Sequence, residues 1–182
     1  MNHRSLLVNV LDCYASNETG GARVRTSRPR REREQQRHRS EILTAARELF
    51  ARQGYEKTTM AQIAEHAEFA VGTLYKFFRD KRSLYRALIL ETVREFEQAL
   101  TAALDAPGSA RQKIERYIAT KMELFHRHLP TARLYFAQTS GARVRPAAGL
   151  DADGAAIYED VLERLERIFE RGVRGGEFVD IE

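Results

Sequence analysis

The sequence predicts an all-α protein, and three observations carry that prediction. Apolar residues recur three and four positions apart from near Gln36 to Val173, the period of helices with one buried face. Residues that cap helix N-termini stand where several of those stripes begin, and glycine or proline where they stop. No stretch alternates apolar and polar residues in the manner of a half-buried strand. At 182 residues, 43% hydrophobic and 31% charged, the chain can form one domain with a real core or two small helical units.

Residues 1–35 mix Asn, Ser, Thr, Gly and Arg without period and read as disordered. They include "SLLVNVLDCYA", which only Arg4 precedes as a charge and which no good cleavage pattern follows, a poor signal peptide. Ile42, Ala45, Ala46, Leu49 and Phe50 make the first stripe, ended by Gly54 in the C′ role. "KTTMAQIAEHA" opens the second helix. Thr59 caps it, Gln62 completes a capping box, and Met60, Ile63, Ala64 and Ala67 form its apolar face. The short connection "EFA" leads to a third helix within "AVGTLYKFF", Ala70 to Phe78. Asp80 caps a fourth, from Lys81 to near Leu104. At 1.5 Å per residue it is about 36 Å long, enough to leave one small unit and enter another.

"DAPGS" stops that helix. A fifth spans roughly Arg111 to His128 with Ile114, Tyr117, Ile118 and Phe125 on one side. Pro130 starts a shorter one that runs to about Gln138. "SGARVRPAAGLDADG" reads as a loop. The last helix, near Ala155 to Val173, carries Ile157, Val161, Leu165, Ile168 and Phe169.

The net charge of +4 is concentrated: residues 22–39 hold eight arginines against Glu32 and Glu34, a local balance of +6. Such an arm suits a phosphate backbone and equally suits a solvated tail. Cys13 stands alone, so no disulfide framework is expected. The five histidines form no H-E-x-x-H pattern, and His126 and His128, two apart, do not share a helix face; no metal site is expected. Paired carboxylates, a nucleophile–base set and a glycine-rich phosphate loop are all missing from the pattern, so neither an enzyme nor a cofactor is expected. No apolar run approaches the roughly 18 residues of a membrane span, which predicts a cytoplasmic protein.

Val71, Leu74, Tyr75 and Phe78 fall on one face of the third helix. A glycine one turn into so short a helix costs about 1 kcal/mol relative to alanine, so Gly72 needs a reason. Three short helices with a three-residue turn before the third match helix-turn-helix geometry. There, a recognition helix points its N-terminal residues at the floor of the DNA major groove, and glycine lets the backbone approach.

The order "ILTAARELFARQGYEKTTMAQIAEHA", a turn, then "VGTLYKFFRDKRSLYRAL", with "GY", "TT", "IA", "GTLY-x-x-F" and a lysine in register, resembles a known family. Residues 37–84 are similar to the DNA-binding domain of the tetracycline-repressor (TetR/AcrR-type) bacterial transcriptional regulators. The resemblance implies a ligand-responsive repressor that binds double-stranded operator DNA and is released by a small-molecule effector. It also implies three parts: an arginine-rich extension 1–35, a helix-turn-helix domain 36–84 and a helical effector-binding and dimerisation domain 85–182. Val71, Gly72, Thr73 and Lys76 become the base-edge candidates: Lys76 can hydrogen-bond guanine, and Val71 or Thr73 can touch a thymine methyl. Thr58, Thr59, Tyr75 and Lys81 become the phosphate candidates. The threonines open a helix whose free N–H groups attract anions, and Lys81 sits at the wrong end of a helix dipole unless a phosphate joins it.

Two positions depart from the family. Glu68 stands where glycine is usual in the turn, at a cost on the order of 1 kcal/mol if φ is positive there. Ala70 stands where serine commonly caps the recognition helix. In the second domain the resemblance implies an effector pocket among Phe96, Tyr117, Met122, Phe125, Tyr135, Phe136 and Tyr158. The family typically continues past a turn like Gly176–Phe178 into helices that make a homodimer. The ending "GGEFVDIE" therefore reads as truncated, predicting a monomer or weak oligomer with Leu162 and Ile168 partly uncovered. Two alternatives stay open: a small-molecule-binding or interaction protein that kept the fold without operator binding, and a basic helical RNA-associated protein.

Overall fold

The computed structural model describes residues 30–139 and 146–179, so the expectations for residues 1–29, including Arg23, Arg25 and Arg28 of the arginine arm, and for residues 140–145 and 180–182 lie outside it. Its helices are α1 (Arg30–Gln53), α2 (Met60–His66), α3 (Val71–Phe77), α4 (Lys81–Asp105), α5 (Ala110–Arg127), α6 (Leu129–Gln138) and α7 (Ala152–Arg174). A 3₁₀ turn, Pro146–Gly149, precedes α7, and there is no strand among the described residues.

Helix α1 starts at Arg30 rather than near Gln36, so the end of the expected disordered arm is helical. The reason is propensity without periodicity. Arg, Glu and Gln are good helix formers, and this exposed turn buries nothing that a stripe would reveal. An Arg37–Glu41 pair at 3.4 Å, one turn apart, adds a little. Further along, Ile42, Leu43, Ala46, Leu49 and Phe50 are buried, and Gly54 closes the helix at φ +81° with its N–H on the Phe50 carbonyl.

The capping box of α2 forms as expected: Gln62 N donates to Thr59 Oγ1 (3.2 Å) and Thr59 N to Gln62 Oε1 (2.9 Å). Asp80 and Ser83 make the same reciprocal pair at the start of α4, and Ser109 and Gln112 at α5. The backbone N–H of Ser83 lowers the Asp80 carboxyl, with burial opposing and Arg79 assisting. Helix α7 begins at Ala152, earlier than Ala155, because Asp151 accepts from Gly154 N at 3.0 Å and so caps the helix.

Two apolar centres result. The first joins α1, α2, Leu74, Phe78, Leu84, Leu88 and, from α6, Leu134. The second joins Leu100 and Leu104 of α4 with Tyr117, Leu124, Val161 and Ile168. Helix α4 thus serves both, as its length predicted. Ile168, expected to be partly uncovered, is 8% exposed because α7 packs on α4 and α5; Leu162 is 37% exposed.

After α7 the chain folds back. Phe178 lies so close to Gly172 that a Cβ there would overlap its ring. The Glu177 carboxylate accepts from the N–H groups of Ala110 and Arg111, both at 3.1 Å, closing the N-terminus of α5. The ending "GGEFVDIE" therefore packs against the second centre through Phe178.

Candidate nucleic-acid interface and apolar cavity

Helix α3 has only seven residues, and Leu74 (0% exposed) with the following Phe78 anchors one side of it. The other side faces solvent. Gly72 and Lys76 are exposed and Thr73 is half-buried. Val71 (42% exposed) and Tyr75 (52%) turn outward too, so the apolar stripe expected on this helix divides between core and surface. A Cβ built on Gly72 would meet nothing within 4 Å, which removes helix packing as a reason for the glycine. Ala70 supplies no side-chain cap.

The turn before α3 has an identifiable form. Phe69 N donates to Ala64 O (2.8 Å) and Glu68 N to Glu65 O (3.0 Å), with Glu68 at φ +59°. This is the Schellman arrangement, in which glycine normally fills the left-handed position. Among the described residues, no other non-glycine residue has positive φ.

The phosphate candidates separate. Thr59 is exposed and its hydroxyl, as acceptor of the cap bond, keeps its own proton to donate. Thr58 is a correction: it is 0% exposed, and its hydroxyl donates to Gly54 O at 2.8 Å, so it holds the loop after α1 and cannot reach a ligand. Gln53 ties this corner together by donating to Thr58 Oγ1 and Gln62 Oε1. Lys81 is already engaged. Its Nζ donates to the carbonyls of Tyr55 (2.8 Å) and Glu56 (3.2 Å) and lies 4.3 Å from the Tyr55 ring centroid. Those acceptors resolve the misplaced cation at the helix start and leave one of three ammonium hydrogens for a further acceptor.

Alongside the middle of α4, from Ile89 to Leu100, lies a largely apolar cavity of about 220 Å³. Phe96, Tyr117, Phe125, Tyr135, Phe136 and Tyr158 all line it. Met122 does not, and is 56% exposed. At about 100° per residue, Met122 stands roughly 140° around α5 from Tyr117, whereas Lys121 and His128 stand within about 40° of it and do line the cavity. Phe96 meets Phe125 edge-on, centroids 5.5 Å apart. The Tyr135 hydroxyl donates to Pro146 O (2.6 Å) and accepts from Gly149 N (3.0 Å), pinning the 3₁₀ turn beside the cavity, and burial pushes its pKa up.

The sequence reading missed five polar residues of this wall, Thr92, Glu97, Lys121 and, most deeply buried, His128 (7% exposed) and Thr131 (3%). His128 was weighed only as a metal ligand and Thr131 not at all. The available signal was a polar side chain in register with the apolar wall of its helix.

Residues 42–88 match the family described as bacterial regulatory proteins, tetR family. The transcriptional repressor KstR of Rhodococcus jostii (strain RHA1) is 32% identical over 139 residues, 76% of this chain and 61% of that protein. The transcriptional activator FasR of Mycolicibacterium smegmatis is 26% identical over 81% of this chain and 65% of its own length. The chain thus spans less than two thirds of these curated relatives. The crystal structure of a TetR/AcrR-family regulator from Thermobifida fusca YX-ER1 has a TM-score of 0.64 at 25% identity, covering 80% of this chain and 75% of that one. The helix-turn-helix of residues 42–88 is that of the TetR family of bacterial regulatory proteins, and the chain superposes on a solved TetR/AcrR-family member over 80% of its length.

Proposed function

We propose that this protein is a one-component transcriptional regulator, a repressor, that binds operator DNA through α3 and is released when a small apolar effector enters the cavity beside α4. The observation that carries the reading is the exposed N-terminal face of α3, with Val71, open Gly72, Thr73 and Lys76 outward while Leu74 locks the helix to its core. In this reading those four residues meet base edges, and Thr59, Tyr75 and the remaining Lys81 hydrogen meet phosphates. Residues 36–84 read DNA and residues from 85 onward sense the effector. Reading a two-fold site in the bacterial cytoplasm, with no catalytic step, takes two copies of the chain, and sedimentation at micromolar concentration decides between a homodimer and the monomer or weak oligomer expected from the sequence. The similarity to a transcriptional repressor and a transcriptional activator supports regulation of transcription.

The connection between the two events is mechanical. Leu84 and Leu88 of α4 belong to the first centre, while Ile89, Val93 and Phe96 of the same helix line the cavity. Helix α6 repeats this, with Leu134 in the first centre and Thr131, Tyr135 and Phe136 on the cavity wall. An effector that fits one arrangement of α4 and α6 better than the other biases the head by that difference in affinity. Selection of binding sites from random duplex DNA tests the reading. A palindromic consensus lost on changing α3 is expected. Effector binding with no consensus supports the operator-free alternative, and a sequence-blind affinity with a steep salt slope supports the basic RNA-associated one.

A further inference from the structure

We infer that the cavity selects an uncharged, medium-sized apolar molecule bearing one hydrogen-bonding oxygen (an alcohol, ketone or ester carbonyl), anchored at Thr131. This rests on the cavity being the effector site. The first argument is an unanswered polar group. Thr131 is 3% exposed, lines the cavity, and its Oγ1 has no hydrogen-bond partner. A hydroxyl shut away from water without a partner is costly, and such groups in folded proteins are normally satisfied. In the adjacent turn the buried His128 already turns its Nε2 to Glu95 Oε1 at 3.0 Å, which leaves the Thr131 hydroxyl as the group to be answered. Val93, Phe96, Ala132 and Phe136 supply apolar wall, while Glu97 adds a carboxylate to the lining. A ligand oxygen seated there receives the Thr131 proton or supplies one to its oxygen, and its hydrocarbon remainder fills the rest.

Charge and size narrow the class. Behind the His128 ring stands Glu95. Burial pushes its carboxyl up, but His128 and Arg127 more than offset this and hold it below the ordinary range, so it is an anion. A carboxylate head would bring a further negative charge towards Glu95 and towards Glu97 on the cavity wall, whereas a neutral oxygen avoids that repulsion. Lys121, the cation on the cavity wall, is turned to the Tyr117 hydroxyl at 3.3 Å. An apolar cavity of about 150 Å³ takes one benzene. By that scale 220 Å³ takes roughly nine non-hydrogen atoms: one ring with a short chain, or a medium-length chain.

Three probes of one skeleton separate the possibilities: phenylpropanol, propylbenzene and phenylpropanoate, titrated into the full chain by calorimetry. The alcohol is expected to bind about tenfold more tightly than the hydrocarbon and more tightly than the carboxylate. In Thr131→Val, which keeps shape and loses the hydroxyl, the alcohol's advantage is expected to shrink to within about threefold, with the hydrocarbon bound as before. Propylbenzene binding as well as the alcohol, or an alcohol preference untouched by Thr131→Val, overturns the anchor while leaving the cavity as an effector site. Preference for the carboxylate overturns the neutral head in favour of Lys121. If none of the three binds, the anchor and the cavity reading fall together.

Discussion

Replacing Glu68 by glycine relieves a backbone conformation that the fold imposes and the side chain resists. Glu68 sits at φ +59° in the C′ position of the Schellman turn between α2 and α3, with its N–H and that of Phe69 both committed to carbonyls of α2. The turn cannot move to a negative φ without breaking these two bonds. A non-glycine residue in the left-handed region costs about 1–2 kcal/mol. Glycine returns about 0.4–1 kcal/mol of that through its freer unfolded chain. The net expectation for Glu68→Gly is a stabilisation of about 1 kcal/mol, or a rise of about 2–4 °C in Tm for a chain of this size. Glu68→Ala is the control, since it removes the same charge and keeps the strain. Urea unfolding of both variants should give a higher midpoint for glycine with an unchanged slope. Equal midpoints for the two variants would refute the assignment of strain to this residue. Both should bind DNA more tightly than the parent at low salt, because each removes a negative charge beside the proposed recognition helix.

Gly72→Val should keep thermal stability within about 1 kcal/mol, given the open space around that Cα and valine's modest helix penalty, and yet abolish sequence-specific binding; a large drop in Tm would contradict the free surface there. Lys81→Ala should do two things at once: lose about 1–2 kcal/mol of stability with the Tyr55 and Glu56 carbonyl bonds, and flatten the salt dependence of DNA binding by about one unit. If stability falls while the salt slope holds, Lys81 is a structural clamp alone. The Glu177 carboxyl is lowered by the backbone N–H of Arg111 and then of Ala110, so its contribution is fully present above the ordinary glutamate range and disappears as pH falls through its depressed folded value. Glu177→Gln should therefore lose stability at neutral pH and show a shallower acid limb than the parent; superimposable acid limbs would exclude the capping role.

Helix positions were legible in the sequence wherever a side chain announced them. Thr59–Gln62 and Asp80 marked the starts of α2 and α4 because a cap needs a particular chemistry at a particular spacing. The start of α1 was hidden because Arg30–Gln36 buries nothing, so periodicity is silent exactly where propensity decides. In the site, the aromatic wall of the cavity was readable from residue type, and its wrong member, Met122, came from treating α5 as having one apolar face. That helix has two: Tyr117 and Leu124 point inward, and Ile118 and Met122 outward. Thr58 and Thr59 look alike in sequence, and only the path of the chain decides that the first is buried and the second exposed. Lys81 was recognised as out of place for its helix, but what compensates it, two carbonyls 25 and 26 residues earlier, depends on tertiary structure.

The clasp between Glu177 and the start of α5 also orders events during synthesis. Its bond to Ala110 joins residues 67 positions apart, while the contacts of α1, α2 and α3 in the first centre lie close together in the chain. Loops that close over short distances form sooner, and a ribosome delivers the N-terminal helices first. The first three helices can therefore gather while α5 is still being made. The second centre must wait for Phe178, leaving the apolar faces of α4 and α5 without their cover for the time needed to translate α6 and α7. Aggregation in the cell should track this interval. Glu177→Gln and Phe178→Ala should lower soluble yield far more at high expression rates than their effect on equilibrium stability accounts for, and pulse-labelled hydrogen exchange should find α1 protected before α5. Simultaneous protection of both helices would show that the chain closes in a single step.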